Sequence, residues 1–591
     1  MSQLKLYKTL TEPCEFPTDL GGFEYRSYNG SVEDRAAWAE ICKNGLVGDD
    51  ADDTRFIDVI EGADGYKPEN VFFITENGNP VATITALVQE NGRGWVHMVS
   101  VHKDSRGKGL GAYLNQIALA ALSKAGCTYV GLTTDEFRVP AVKSYLRAGF
   151  RPVLYEEDME ARWLFWLNRY GYMNIDCYDN DNNFVKNLCT VEKKDKLKVG
   201  VFGLRRGTAI AEPAVLSEKG YIYAVCDCDE TTYELVEKCT CEDTKYFKEF
   251  DEFIESGLDV VILANYFHEH AKFAIKALEK GIHVYSETLP AVTLADCVKL
   301  CRAAEKSKAK YMIAENCAYF GTVRKMEEIY KNKTLGGAVY CEGEYVHPMP
   351  HDGYKVITPD AKHWRALMPS GYYSTHALAP IMQITGEVPV AVNALSIYSD
   401  EVRIEREEEP TKDVASIMLC TMSNGSIARV TGWSKFGGHG LWYRMNCGKG
   451  SLESVRGDDY KVRLFYNDWE IPEGMEQETF YDAEYPFDKD RASQSGHFGG
   501  DYYAIYDFLD CVQNDREPFL DVYKSAAMTA TAIFGWRSSL NDGIQYRIPD
   551  FKNEAERAVY ENDTWSPFPD ENGETNFPCT KYQLGDYNIE F

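Results

Sequence analysis

The sequence predicts an α/β chain in three parts: a leading α/β domain, a Rossmann-type dinucleotide-binding domain, and a mostly antiparallel β-sheet domain of α+β character. Three observations predict it. From residue 197 to 314, short apolar strands alternate with helix-compatible segments, the rhythm of βαβ units and a parallel sheet. Two glycine turns, RGKGLG at 106–111 and GLRRG at 203–207, each follow a strand and lead towards a helix. After Leu335 the pattern changes, and 414–422, 426–433 and 441–447 read as successive strands with hairpin turns.

At 591 residues the chain is too long for one ordinary core. Its 63 basic and 92 acidic residues give a net charge of -29 and a pI near 4.9, a field that repels polyanions, so neither nucleic acid nor an anionic membrane is an expected partner. The opening MSQLKLYKTL has no apolar h-region and no stretch is long and apolar enough to span a bilayer, so a cytoplasmic location is expected. The 17 cysteines then read as reduced thiols. Cys226, Cys228, Cys239 and Cys241 form the tightest group, but C-x-C at a strand end alternates faces and is no zinc knuckle, so no metal is expected. Asp179, Asp181 and Asn183 imitate the start of an EF-hand loop whose later glycine and glutamate are missing; the segment reads as linker.

The first domain is placed at 1–173. Strands at 71–75 and 80–88 flank an Asn-Gly turn, and a third strand, 95–101, runs into Arg106, Gly107, Gly109 and Gly111 before a helix at 112–125. Glycines without Cβ expose successive N–H donors at a helix start, and the adjacent Arg106 and Lys108 suit a pyrophosphate. With TTDEFRVPAVKSYLRAGFRPV at 133–153, the pattern resembles the GNAT acyltransferases, whose Q/R-x-x-G-x-G/A loop holds acetyl-CoA and whose A-x-x-x-Y-x-x-x-G-F segment is Ala141, Tyr145, Gly149 and Phe150 here. The resemblance implies acetyl-CoA as co-substrate and Tyr145 as general acid towards the leaving thiolate. Arg138 stands where the family commonly has asparagine. The acceptor side, 1–70, names no base, and His97 and His102 read as ordinary strand-end histidines.

Residues 174–196 have linker composition. A Rossmann domain follows at 197–320, with return helices near 500–540. Gly203, Arg205 and Gly207 form its phosphate turn. Asp227, 24 residues after Gly203, is placed to bind ribose, favouring NAD over NADP. Asn265, just beyond the strand at 258–263, belongs with the cofactor-binding residues.

FHEHAKFAIKALEKGIHVYSE, with His270 and Glu287, resembles a run of the Gfo/Idh/MocA oxidoreductases, and the likeness extends over 197–550. Two departures matter: the family's E-K-P lysine is Thr288 here, and the aspartate expected four residues before His376 is Tyr372. SETLPAVTLADC, AENCAY, EYVHPMPHD, HWRALMPSGYYSTHALAP and SGHFGGD resemble the NAD-dependent glycosidase branch first known as α-N-acetylgalactosaminidases. The family pattern corresponds to Glu315 and Asn316, Tyr345 and His347, and Tyr373, Thr375 and His376, with Ser374 where proline is usual.

That resemblance implies a tightly held NAD and a glycoside cleaved by transient C3 oxidation, elimination, hydration and re-reduction. It implies that His376 and Tyr345 handle protons, that His347 and Glu315 bind or polarise the sugar, and that Tyr373 lines the pocket. Asn316, Glu287 and His270 are assigned to the cofactor. Trp364 and Arg365 read as substrate-binding, with core packing the bland alternative. His268 and Glu269 diverge on a helix and read as structural. A net sugar or cyclitol dehydrogenase and a degenerate CoA- or sugar-binding sensor are the alternatives. The substrate domain is placed at 321–550, with homo-oligomerisation expected through its sheet, and 551–591 reads as an extended arm.

Overall fold

The computed structural model describes residues 2–586 apart from 44, 90–91, 171, 173–174, 189–194, 351–356, 359–362, 400–412, 484, 486 and 571–574. His351 and Asp352 of the EYVHPMPHD stretch thus lie outside the described residues, as do parts of the expected linker and arm. The chain divides into two compact units, Met1–Glu192 and Lys193–Phe591. No helix among the described residues is long and apolar enough to cross a membrane.

The first unit holds a seven-stranded mixed sheet, ordered β2-β3-β4-β5-β6-β1-β7. Its strands are β1 (Leu4–Thr9), β2 (Glu24–Ser27), β3 (Val71–Glu76), β4 (Asn79–Val88), β5 (Arg93–Val101), β6 (Tyr129–Thr134) and β7 (Arg151–Pro152). Helices α1 (Leu110–Lys124) and α2 (Val139–Arg147) are joined where Asn115 Nδ2 donates to Ser144 Oγ at 2.9 Å. The parallel β5–β6 ladder covers only Arg93–Trp95 against Tyr129–Gly131, so beyond that point the two strands are no longer paired.

The expected linker begins as structure. β8 (Ile175–Tyr178) and β9 (Phe184–Leu188) pair as an antiparallel hairpin, and Leu154 N donates to Tyr178 O at 2.8 Å. Asp179 closes the turn, its Oδ1 accepting from the N–H groups of Asp181 and Asn183 at 2.9 Å each. Its polar composition therefore marks a hairpin tip, and the buried Cys177 and Leu188 tie the strands to the first unit's core.

In the second unit, β10 (Leu197–Phe202), β11 (Gly220–Cys226), β12 (Thr240–Phe247), β13 (Val260–Leu263), β14 (His283–Ser286) and β15 (Tyr311–Ile313) form a wholly parallel sheet. Its order, β12-β11-β10-β13-β14-β15, is that of a dinucleotide-binding fold. Every residue of β13 is buried, as both-face coverage requires. A nine-stranded sheet follows: β16 (Ala338–Val346), β17 (Pro389–Tyr398), β18 (Asp413–Met422), β19 (Ile427–Thr431), β20 (Gly440–Cys447), β21 (Gly450–Ser454), β22 (Lys461–Tyr466), β23 (Glu478–Asp482) and β24 (Tyr546–Arg547). All its ladders are antiparallel except β16–β19. Helices α3 (Thr375–Thr385) and α4 (Val522–Leu540) pack on it, and one apolar core runs through both sheets.

The tail is less of an arm than its composition suggests. Asp563 accepts both Nη groups of Arg537, at 2.7 and 2.6 Å, and Phe568 and Phe577 enter the main core. Phe568 closes over Phe267, His268 and Tyr372. The Tyr372 hydroxyl donates to Val292 O at 3.2 Å, so the residue replacing the family's aspartate is a core residue.

Burial among Tyr266, Trp364 and Phe568 pushes the His268 pKa down to about 4. The folded value lies below the unfolded one, so between pH 6.5 and about 4 the unfolded chain binds more protons and this contribution to stability is lost as pH falls. Denaturant midpoints of the full chain should drop across that window, and by less in His268→Phe.

Candidate active sites

The nucleotide turn of the second unit follows from strand β10. Gly203 has φ 85°, and a Cβ there would stand 2.5 Å from Asn265 N, so only glycine fits between β10 and the end of β13. The next helix spans Leu204–Leu216 and so begins within the 203–207 turn rather than after it. Gly207 therefore lies in its first turns, where a Cβ would meet Val201 Cγ1 at 2.6 Å; it permits close helix–strand packing. Asp227 Oδ2 accepts from Leu204 N at 2.8 Å and Oδ1 from Asp229 N at 3.0 Å, leaving lone pairs on both oxygens.

Arg205, expected at the phosphates, is largely exposed and reaches Asp229 at 3.1 Å. Its neighbour Arg206 turns inward instead. Arg206 Nε donates to Glu287 Oε1 at 2.6 Å and Nη2 to Asp501 Oδ1 at 3.0 Å. His270 is buried, with Nδ1 2.8 Å from Leu289 O and Nε2 3.2 Å from Asn265 O, and burial lowers its pKa. The neutral ring carries a single N–H, so it donates to one of these two carbonyls, the shorter contact being to Leu289 O. Asn265 Oδ1 is buried without a partner among the described residues.

The residues that the sequence assigns to the sugar converge from three elements. Glu315 lies just beyond β15, where its carboxylate caps the Asn316–Tyr319 turn through Cys317 N at 3.4 Å. Tyr345 ends β16, and His347 is held by Ser434 O and Trp433 Nε1, both at 3.0 Å. His376 sits in the first turn of α3, after the Ser370–Tyr373 turn that Asp413 anchors through Ser370 N and Oγ at 2.8 and 3.0 Å.

His376 Nδ1 lies 2.6 Å from Glu315 Oε1, and the Tyr443 hydroxyl donates to His376 O at 2.9 Å. The Tyr345 and Tyr373 rings stand 4.6 and 4.7 Å from the His376 ring. Burial drives the Tyr345 phenol far above its ordinary pKa and pushes Tyr373 up to about 12, so both stay protonated. Burial and nearby His439, His376 and His497 lower the pKa of His347. Glu315 Oε2, Asn316 Oδ1, Thr375 Oγ1 and Thr288 Oγ1 are buried without partners among the described residues, a set of polar atoms that a ligand would satisfy. Arg365 stacks on Trp364 at 4.5 Å, and its charge reaches Tyr345 and Tyr373. Glu315, Cys317 and His376 could also offer ligand atoms within 4.8 Å of one another, but Nδ1 of His376 is committed to the Glu315 carboxylate.

One carboxylate joins the two halves of this site. Asp501, 3% exposed, accepts from Arg206, from Asn316 Nδ2 at 3.0 Å and from His497 Nδ1 at 2.8 Å. Its pKa is held far below the carboxylate range against the opposing effect of burial, chiefly by the His497 and Arg206 bonds and charges.

In the first unit, Gly107 and Gly109 have φ 78° and 75°, and Gly109 caps α1, so the 106–111 loop presents a helix N-terminus. Gly111 is already helical and lies against Ser144. Arg106 is exposed beside the loop. Tyr145 on α2 is buried against Phe150, and burial raises its pKa. Arg138 donates to Asp135 at 2.8 Å and to Gly45 O at 2.6 Å. His102 caps a short turn and His97 faces Val59 O.

A model of the acetyltransferase (GNAT) family matches residues 37–150. The oxidoreductase family's NAD-binding Rossmann model matches 197–315, and that of the glycosyl hydrolase 109 C-terminal domain matches 467–556. The chain is a fusion of these three domain families. It is 21% identical over 397 residues to a glycosyl hydrolase family 109 protein of Shewanella putrefaciens, covering 61% of this chain and 86% of that one. A family 109 protein of Shewanella baltica is 22% identical over 401 residues, with the same coverage. Among solved structures, levoglucosan dehydrogenase with NADH and levoglucosan superposes with a TM-score of 0.50 at 15% identity, covering 60% of this chain and 100% of that one. An NAD binding oxidoreductase from Klebsiella pneumoniae gives 0.50 at 16%, covering 60% and 99%; both share the fold. The fusion thus pairs a GNAT acetyltransferase domain with a Gfo/Idh/MocA oxidoreductase unit related to the family 109 glycosidases.

Sequence reading passed over Arg206, Asp501, His497, Tyr443 and His439, although Arg206, His497 and Asp501 fall inside stretches it quoted. His439 lies 5.1 Å from the His347 ring because the β16–β20 register pairs Val346 with Gly440. Asp501→Asn should cost the fold about 1–3 kcal/mol in chemical denaturation, since the buried amide can no longer accept from all of Arg206, Asn316 and His497, while the half-buried Arg206 keeps Glu287 as its partner.

Proposed function

We propose that the second unit cleaves a glycoside by transient oxidation at C3, elimination across C1–C2, hydration and re-reduction, with no net consumption of NAD. The observation that carries this reading is the buried Glu315–His376 pair facing two protonated tyrosines next to a dinucleotide turn. The residues present fit NAD: the space a Cβ would fill at Gly203, the Leu204–Leu216 N-terminus, the Asp227 carboxylate and the orphan Asn265 Oδ1. When bound, NAD supplies a reversible hydride acceptor for the sugar.

The remaining chemistry is proton transfer by this chain. Glu315 accepts the Nδ1–H of His376, fixing the tautomer that leaves Nε2 as a base. Once C3 is a ketone the C2 proton is acidic, and Nε2 removes it. Tyr345, kept neutral by burial, donates its proton to the departing C1 oxygen. Water then adds at C1, giving one proton to the Tyr345 phenolate, and His376 returns its proton to C2. Glu315 Oε2, His347 and Arg365 hold sugar hydroxyls, and Tyr373 walls the pocket beside Thr288.

The purified full chain should release p-nitrophenol from an aryl glycoside while absorbance at the NADH band stays flat. His376→Ala should slow release by roughly 10²–10⁴-fold in protein that still folds, as read by circular dichroism, though it melts lower because the buried Glu315 loses its partner. NADH accumulating with the glycosidic bond intact would overturn the reading in favour of net dehydrogenation.

For the first unit we infer acetyl transfer from acetyl-CoA to an amine. The support is the Gly107–Gly109 turn at a helix start and the buried, protonated Tyr145. Tyr145→Phe should lower acetyl transfer by about 10²-fold while leaving acetyl-CoA affinity, read by calorimetry, nearly unchanged. Equal loss of affinity and rate would point to packing instead.

A further inference from the structure

One buried thiol beside the Glu315–His376 pair has no part in the chemistry above. Glu315, Cys317 and His376 each offer a ligand atom, and the three atoms lie within 4.8 Å of one another, the one such trio among the described residues. A point therefore exists no more than about 2.8 Å from all three, and shifts of less than ~1 Å bring it to the roughly 2.0–2.3 Å of metal–ligand bonds. The trio is also held in place. Glu315 and Cys317 belong to one short turn, in which the Glu315 carboxylate accepts from Cys317 N at 3.4 Å. His376 comes from α3, with its carbonyl fixed by the Tyr443 hydroxyl at 2.9 Å.

Burial decides what such a trio can hold. Glu315 is 0% exposed, Cys317 2% and His376 7%, and Glu315 Oε2 has no partner among the described residues, so charge has to balance inside the site. A thiolate beside the Glu315 carboxylate would leave two buried negative charges, and burial together with that carboxylate keeps the Cys317 thiol protonated. A divalent cation reverses that field, because one carboxylate, one thiolate and one divalent ion sum to zero. Sulfur, imidazole nitrogen and a single carboxylate form the donor set of zinc and its neighbours, whereas magnesium and calcium take oxygen ligands.

We propose that Glu315, Cys317 and His376 bind one divalent transition-metal ion of the zinc class, and that the bound ion shuts off His376 as a base. Cys317 releases its proton to water, and the thiolate binds the ion. The ion replaces the Nδ1 proton that Glu315 accepts, and this proton moves to Nε2, which loses its free lone pair. Coordination through Nε2 consumes the same lone pair, so either mode releases one proton and disables the base. A water molecule completes the four-coordinate shell. The site stands on this geometry, and its effect on turnover rests on the glycoside cleavage inferred above.

The test titrates the full chain, reduced and stripped of metal by a chelator, with Co²⁺ alone, whose absorption spectrum reports sulfur ligation and tetrahedral geometry. One equivalent should bring a thiolate-to-cobalt charge-transfer band with tetrahedral d–d bands, and Zn²⁺ should erase both. Cys317→Ala should lose the charge-transfer band, and Glu315→Gln should need about tenfold more Co²⁺ or beyond, with both variants shown to fold by circular dichroism. No band at one equivalent, or a band that Cys317→Ala leaves unchanged, overturns the site. On an aryl glycoside that the full chain cleaves, inhibition of Cys317→Ala should require about tenfold more Zn²⁺ than inhibition of wild type. Equal inhibition of the two overturns the link to His376. If the full chain cleaves no glycoside, the cleavage reading fails while the cobalt spectra still decide the site.

Discussion

The second unit depends on one buried anion. The Asp501 carboxylate draws together Arg206 from the nucleotide turn, Asn316 from the loop after β15 and His497 from the return segment, and Arg206 carries the link on to Glu287. Taking such a charge out of water is costly unless every lone pair is used, and here three different segments supply the donors. The arrangement is therefore cooperative: moving the turn that faces the cofactor would move the loop that bears Glu315, and with it the ring of His376. One network thus fixes the nucleotide turn relative to the Glu315–His376 pair.

The two family residues missing from the chain leave different traces. Tyr372, in place of the aspartate, is absorbed into the core between Trp536 and Phe568 and donates to Val292. Thr288, in place of the lysine, leaves its hydroxyl buried near Tyr373. The positive charge nearest the two tyrosines then comes from Arg365, stacked on Trp364. Burial keeps both tyrosines protonated, and under the glycoside cleavage proposed above such neutral donors suit an elimination better than a fixed lysine charge would.

Much of the fold is legible in the sequence because its signals are local. Apolar runs such as 260–263, the Asn77-Gly78 turn between β3 and β4 and the strand–glycine–helix order at 203 depend on neighbours a few residues away. The same reading misjudges 174–188, where a polar hairpin tip looks like linker, and the tail, whose few aromatics reach a core far away in sequence. At the site, His376, Tyr345 and Glu315 are visible through motif order. Asp501 and His439 are not, because their meaning comes from partners 185 and 92 residues away.

By itself, then, the sequence determined the α/β class, the two nucleotide-type turns, the strand-rich third part and the candidate residues, all properties set by periodicity, glycine placement and motif order. Only the tertiary structure decided which of two adjacent arginines turns inward, which carboxylate orients His376, and that Cys317 stands beside the two. Those outcomes depend on strand register and on where a buried charge can find donors. Both are settled by packing between distant segments, which no local pattern encodes.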